Sequence, residues 1–142
     1  MTFKDLPTGI KDIPLTDASL QADVIDLIVG DEVRASGCIG VMVCDDQHRG
    51  IQPVVLSDVP DGADPSTLRQ LLELLLPLVA EQGGSLLIGR GRRRGSAPTD
   101  LDREWHQQAI DSCAAGEVRL LGFYLATRDG VFAMPEPLSA AS

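Results

Sequence analysis

The sequence predicts an α/β domain, α+β in its mixed strand pairing, with a central mixed sheet of about five strands flanked by three helices. Three observations carry that expectation. Stretches with apolar residues at helical spacing alternate with short β-branched runs; most of those runs fall into hairpin-like pairs around polar turns; and the chain, at 142 residues with 44% hydrophobic and 23% charged side chains, has the size and composition of a single globular core.

Residues 1–16 read as an irregular arm, because Pro7, Gly9 and Pro14 interrupt any period and remove backbone donors. The domain is expected over 17–135, with a loose tail over 136–142. Thr16 or Asp17 can cap a first helix whose buried stripe is Leu20, Val24, Leu27 and Ile28, and which is expected to end between Gly30 and Gly37. Cys38–Cys44 reads Cys-Ile-Gly-Val-Met-Val-Cys, the pattern of a buried strand. A polar turn from Asp45 to Gly50 leads to a second strand at Ile51–Leu56, and Pro53 confines that strand to a sheet edge or a bulge.

Asp64 followed by Pro65 opens a second helix. Leu68, Leu71, Leu72, Leu75, Leu78 and Val79 form its stripe, Leu74 and Leu76 widen it toward burial on more than one side, and Pro77 is expected to kink it. After Gly83 and Gly84, Ser85–Ile88 reads as a short central strand running directly into a loop of arginines. Thr99 or Asp100 caps the third helix, which carries Trp105, Ala109, Ile110 and Cys113 on one face and stops at Gly116; Val118–Ala126 and Val131–Met134 then form a hairpin around Asp129-Gly130. Trp105 reads as a core or interface anchor.

A formal net charge of −9 repels phosphate backbones and anionic lipid faces, so neither nucleic acid nor membrane is expected as a partner. Cys38, Cys44 and Cys113 are odd in number and scattered, which suits thiols in a reducing, cytoplasmic compartment, and Met1–Leu15 lacks the apolar run of a secretory leader. No Walker A or GxGxxG motif calls for a cofactor. The local exception to the acidic balance is Arg90, Arg92, Arg93 and Arg94. A strand, a Gly-rich basic loop and a helix N-terminus in that order place guanidiniums and amides where a small anion could sit, with Ser96 beside them. The plainer reading of the same run is a solvated basic loop facing the acidic remainder of the protein or an acidic partner.

From about Gly37 to Pro135 the order of elements and several strings resemble the JAB/MPN metalloprotease-like domain, in its RadC-type branch. That branch has a strand running into His-x-His-Pro-Ser-Gly, then Pro-Thr or similar, a helix bearing an Asp, then Leu-Leu-Gly and a final hairpin. Here Ser85-Leu86-Leu87-Ile88 is followed by GRGRRRGSAPTDLD, the Trp105 helix, Arg119-Leu120-Leu121-Gly122 and the Asp129-Gly130 turn. The resemblance implies cytidine-deaminase-like layering of the fold. It also implies a zinc site, whose residues are altered in this sequence. The paired histidines fall on Arg90 and Arg92, or on Gly91 and Arg93 in the alternative register; the family's acidic helix residue falls on Thr67; and Asp100, Asp102 or Glu104 stands for the metal-binding Asp, with Ser96 near the motif serine.

Arginine cannot replace a ligand, because it stays protonated and has no lone pair to give. No catalytic residue and no metal are therefore expected, and the chain reads as a JAB-like pseudoenzyme. Its expected role is a protein-binding or regulatory module, with a homo-oligomer left open. One alternative is an anion or nucleotide binder using the loop 90–94. A second is a metal-dependent hydrolase with relocated ligands drawn from Asp102, His106 and Cys44; Asp102 and His106 share a helix face at i, i+4, a spacing that also fits a solvated His beside a first-turn Asp.

Overall fold

The computed structural model describes residues 13–93, 95 and 97–135, so Arg94, Ser96, most of the expected arm and the expected tail 136–142 lie outside the described residues. The elements are α1 (Ala18–Ile28), α2 (Asp31–Ser36), β1 (Cys38–Cys44), β2 (Gly50–Ser57), α3 (Ser66–Glu81), β3 (Ser85–Gly91), α4 (Asp100–Ala115), β4 (Arg119–Thr127) and β5 (Gly130–Ala133). They form an α/β fold around one five-stranded mixed sheet of order β2-β1-β3-β4-β5. β1 runs antiparallel to β2 and β3, β3 and β4 are parallel with α4 as their crossover, and β5 returns antiparallel to β4.

Period-two alternation along the strands sends side chains to two separate cores. Ile39, Val41, Leu86, Ile88, Phe123 and Leu125 pack with Leu68, Leu72 and Val79 of α3 and with Trp105 and Ala109 of α4. Met42, Cys44, Leu87, Tyr124 and Ala126 face the opposite way, onto Val24 and Ile25 of α1. The sheet is thus covered by α3 and α4 on one face and by α1 and α2 on the other. β2 lies at the sheet edge, where Pro53 is tolerated.

Three features differ from the sequence reading. The first helix stops at Ile28 and a separate α2 begins at Asp31, because Gly30 is extended (ψ 169°) and Asp31 and Glu32 favour a fresh helix N-terminus. Asp17 supplies the α1 cap, its Oδ2 accepting from the Leu20 amide at 3.1 Å. In α3 the stripe is narrower than expected. Leu68, Leu72, Leu76 and Val79 are buried, whereas Leu74 (73% exposed) and Leu78 (59% exposed) sit two residues beyond buried positions and so point away from the core. α3 continues through Pro77 to Glu81, with Pro77 on its exposed side, where water can solvate the carbonyl that proline leaves unpaired.

The third difference positions the site. β3 does not end at Ile88 but runs on to Gly91, because Gly89, Arg90 and Gly91 pair with Gly40, Ile39 and Cys38 of β1 and with Tyr124, Leu125 and Ala126 of β4. The glycines in this stretch face α1 and α2. A Cβ on Gly89 would lie 2.8 Å from Ile25 Cγ2, and one on Gly91 would overlap Cys38 Sγ. The arginine that alternates with them faces α4.

Candidate functional site

The segment Ile88-Gly89-Arg90-Gly91-Arg92-Arg93 is the structural origin of the site. Arg90, inside β3, and Arg92, one residue past its end, both turn toward the N-terminal turn of α4. Arg93 is exposed and lines a cavity against α2. The basic run is therefore divided between two surroundings.

At the start of α4 Thr99 and Asp102 form a capping box. Thr99 Oγ1 accepts from the Asp102 amide at 3.1 Å, and Asp102 Oδ2 accepts from the Thr99 amide at 2.8 Å. The Asp102 side chain is fully buried. Its Oδ1 also accepts from Arg90 Nη1 at 3.0 Å and Arg92 Nε at 3.2 Å, and its Oδ2 from Arg92 Nη2 at 2.9 Å. A carboxylate offers about four lone-pair positions. Four N–H donors fill those of Asp102.

The two guanidiniums are fixed further. Arg90 Nη2 donates to the Asp61 carbonyl, and the Arg90 guanidinium carbon lies 4.6 Å from the Trp105 ring centroid, a cation–π geometry. Trp105 is itself held by an Nε1 hydrogen bond to the Ala63 carbonyl at 2.9 Å. Arg92 Nη2 donates to the Ala97 carbonyl at 3.0 Å, and its backbone amide continues the sheet ladder to Ala126 O at 3.0 Å. Burial lowers the pKa of Arg90, the nearby Arg92 adds to that, and Asp102 opposes it. Arginine starts so high that the group remains a cation.

Chemically this arrangement is a closed polar network. A divalent ion at this position would need lone pairs that Asp102 has already committed and that guanidiniums do not possess. The residues do not fit a metal. Asp100, on the exposed side of α4, pairs with Arg103 at 2.8 Å. His106 is buried and stacks on Phe123 with ring centroids 5.1 Å apart and planes inclined by 23°. Cys44 belongs to the core on the opposite face of the sheet from Trp105, so the relocated ligand set of Asp102, His106 and Cys44 is not assembled. Among the described residues, no three His, Cys, Asp or Glu side chains are grouped as metal ligands.

The solvated basic loop expected over 90–94 is corrected at its first two arginines: Arg90 and Arg92 are 3% and 8% exposed and bound inward to Asp102. Of the candidate anion set, only Arg93 presents its guanidinium outward among the described residues. Arg94 and Ser96 lie outside them. All three thiols are buried, and desolvation pushes Cys38 up to about 11 and Cys44 and Cys113 up to about 12, which leaves them unsuited to act as nucleophiles.

The sequence reading missed Arg34 and Arg128. Arg34, on α2, is buried and donates from Nε to Val29 O at 2.7 Å, from Nη1 to Thr127 O at 3.0 Å and from Nη2 to Asp26 Oδ1 at 2.6 Å. A lone arginine in a short helix carries no sequence signal for such a role. Neither a protein-family model nor a curated protein matches the chain.

Proposed function

We propose that this chain is a non-catalytic JAB/RadC-like domain that acts by binding a protein partner or by regulating one. The observation that carries this reading is the full occupation of Asp102 by Arg90, Arg92 and the Thr99 amide. The resemblance puts a strand end, two alternating ligand positions and a helix Asp around one ion. In the first of the two registers of that resemblance, and with Asp102 taken for the helix Asp, these positions correspond to Arg90, Arg92 and Asp102. Two guanidiniums bring the formal charge of one divalent cation, so the buried carboxylate is neutralised by the chain itself, and strand and helix stay locked together without an exchangeable centre.

The partner-binding side of the proposal is supported by the edge strand β2, where Ile51, Val55 and Leu56 are exposed large apolar side chains beside a strand edge that pairs with no other strand among the described residues. Metal analysis tests the non-catalytic reading. Protein purified without chelator is expected to contain far less than one equivalent of zinc, manganese or iron, and to gain no thermal stability when these ions are added. Stoichiometric metal together with a hydrolytic activity, both lost in His106→Ala or Asp102→Asn protein that still folds, would overturn it.

A further inference from the structure

We propose a second, separate site: a cavity at the carboxyl ends of the two parallel strands that binds the phosphate group of a small phosphorylated molecule. It has a volume of about 730 Å³ and is lined by Asp31, Arg34, Ala35, Arg93 and Arg128. That size is ordinary for a cavity holding a small organic ligand. Its position has a topological reason. In open α/β sheets the crevice outside the carboxyl ends of parallel strands is where loops diverge and ligands bind. β3 and β4 are the parallel pair of this sheet, and Arg93 and Arg128 each follow the end of one of them.

The walls are held before any ligand arrives. The Arg128 amide donates to the Arg93 carbonyl at 3.3 Å, extending the β3–β4 ladder one step past the strands. Arg34 ties α2 to the end of β4 through its bond to Thr127 O at 3.0 Å. Arg34 is engaged with Val29, Asp26 and Thr127 and contributes mainly shape. Arg93 and Arg128 differ: both are exposed, and among the described residues neither side chain has a hydrogen bond or ion pair. Each guanidinium therefore keeps its whole planar fork of donors for an oxyanion.

The charge balance selects the ligand class. Asp26 answers the charge of Arg34 at 2.6 Å, and Arg93 and Arg128 against Asp31 leave the lining cationic in a chain whose net charge is −9. Long polyanions meet that negative field over their whole length, whereas a small phosphate ester meets only the local arginines. Asp31 is an exposed carboxylate 3.9 Å from Arg34 Nη1, placed to accept from a hydroxyl or amino group on the rest of the ligand. Nucleoside monophosphates and sugar phosphates both carry this combination of phosphate and hydroxyls. This site lies on the α2 side of the sheet, away from the Asp102 network, and stands or falls separately from the reading of that network.

Calorimetric titration of the full chain with adenosine monophosphate, glucose 6-phosphate, adenosine and glucose tests the assignment. At least one of the two phosphate esters is expected to bind while its parent compound does not, and which ester binds tells a nucleotide site from a sugar-phosphate site. Arg93→Gln and Arg128→Gln, both at exposed positions that leave the fold intact, are each expected to weaken binding about tenfold or more. Absence of binding by both esters at millimolar concentration overturns the proposal, and so does binding that neither substitution changes.

Discussion

Arg92 holds Asp102 through a two-point fork, Nε to Oδ1 at 3.2 Å and Nη2 to Oδ2 at 2.9 Å, while Arg90 reaches the same Oδ1 from inside β3 at 3.0 Å. Two cations sharing one buried anion make the network asymmetric. Loss of either arginine leaves Asp102 neutralised by the other. Loss of the carboxylate leaves two guanidiniums facing each other in a buried space.

That asymmetry sets the first prediction. Asp102→Ala is expected to cost about 3–5 kcal/mol, as for a buried ion pair broken from one side, with a further loss of about 1 kcal/mol from the capping box. Arg92→Leu, which keeps apolar bulk and leaves Arg90 in place, is expected to cost distinctly less. Urea unfolding of the two variants ranks them, and an Asp102→Ala protein as stable as Arg92→Leu would show that the carboxylate is not the centre of the network.

Trp105, the single tryptophan of the chain, is fully buried between the core and the Arg90 guanidinium. Trp105→Phe keeps an aromatic face for Arg90 but orphans the Ala63 carbonyl, at an expected cost of about 1–3 kcal/mol. Trp105→Ala removes the ring as well and is expected to cost about 3–5 kcal/mol. Equal losses in the two variants, followed by circular dichroism during thermal unfolding, would assign no stabilising role to the ring and its contact with Arg90.

The buried thiols give the protein a predictable alkaline limit. Burial raises Cys44 and Cys113 from the ordinary value of 9.0 to about 12, so the folded state holds their protons more tightly than the unfolded state does. Their contribution is complete below the unfolded value and is lost as pH rises from about 9 toward 12. Tyr124 acts in the same direction, its pKa raised first by burial and then by Asp17. Melting temperature is expected to fall across that alkaline window, less steeply in Cys113→Ala, and the native thiols are expected to resist a disulfide exchange reagent at pH 8 until the chain is unfolded. Rapid labelling of native protein would contradict the buried placement.

Much of the fold was legible because each element had a local cause. The run Cys38–Cys44 with Pro53 downstream pointed to a hairpin whose second strand lies at an edge or a bulge, and Thr99, one of two cap candidates, marked the start of α4. The length of β3 was not legible. Ile88-Gly89-Arg90-Gly91-Arg92 looks like a loop when read by composition, since glycine and arginine are poor markers of a buried strand. Only the neighbours β1 and β4 supply the partners that make it one. The same gap hid the site: the alternation that turns Arg90 toward Asp102 exists only once the strand does. Arg34 and Arg128 meet through tertiary packing of α2 on the end of β4, which no local pattern encodes.

The glycines of that strand provide the last prediction. Gly91 pairs with Cys38 across β1 and β3, and an added methyl at Gly91 would overlap Cys38 Sγ, with Val29 Cγ1 next at 3.2 Å and the Arg34 backbone at 3.6 Å. Gly91→Ala is therefore expected to cost about 1–3 kcal/mol through overpacking rather than backbone strain, since the position is regular strand. Cys38→Ala removes the sulfur that the methyl would strike. In the double variant the new methyl can take part of the vacated space, so the combined loss is expected to fall below the sum of the single losses, the signature of two groups competing for one volume. Losses that simply add would place the constraint on Gly91 elsewhere, in the approach of α1 and α2 to the sheet.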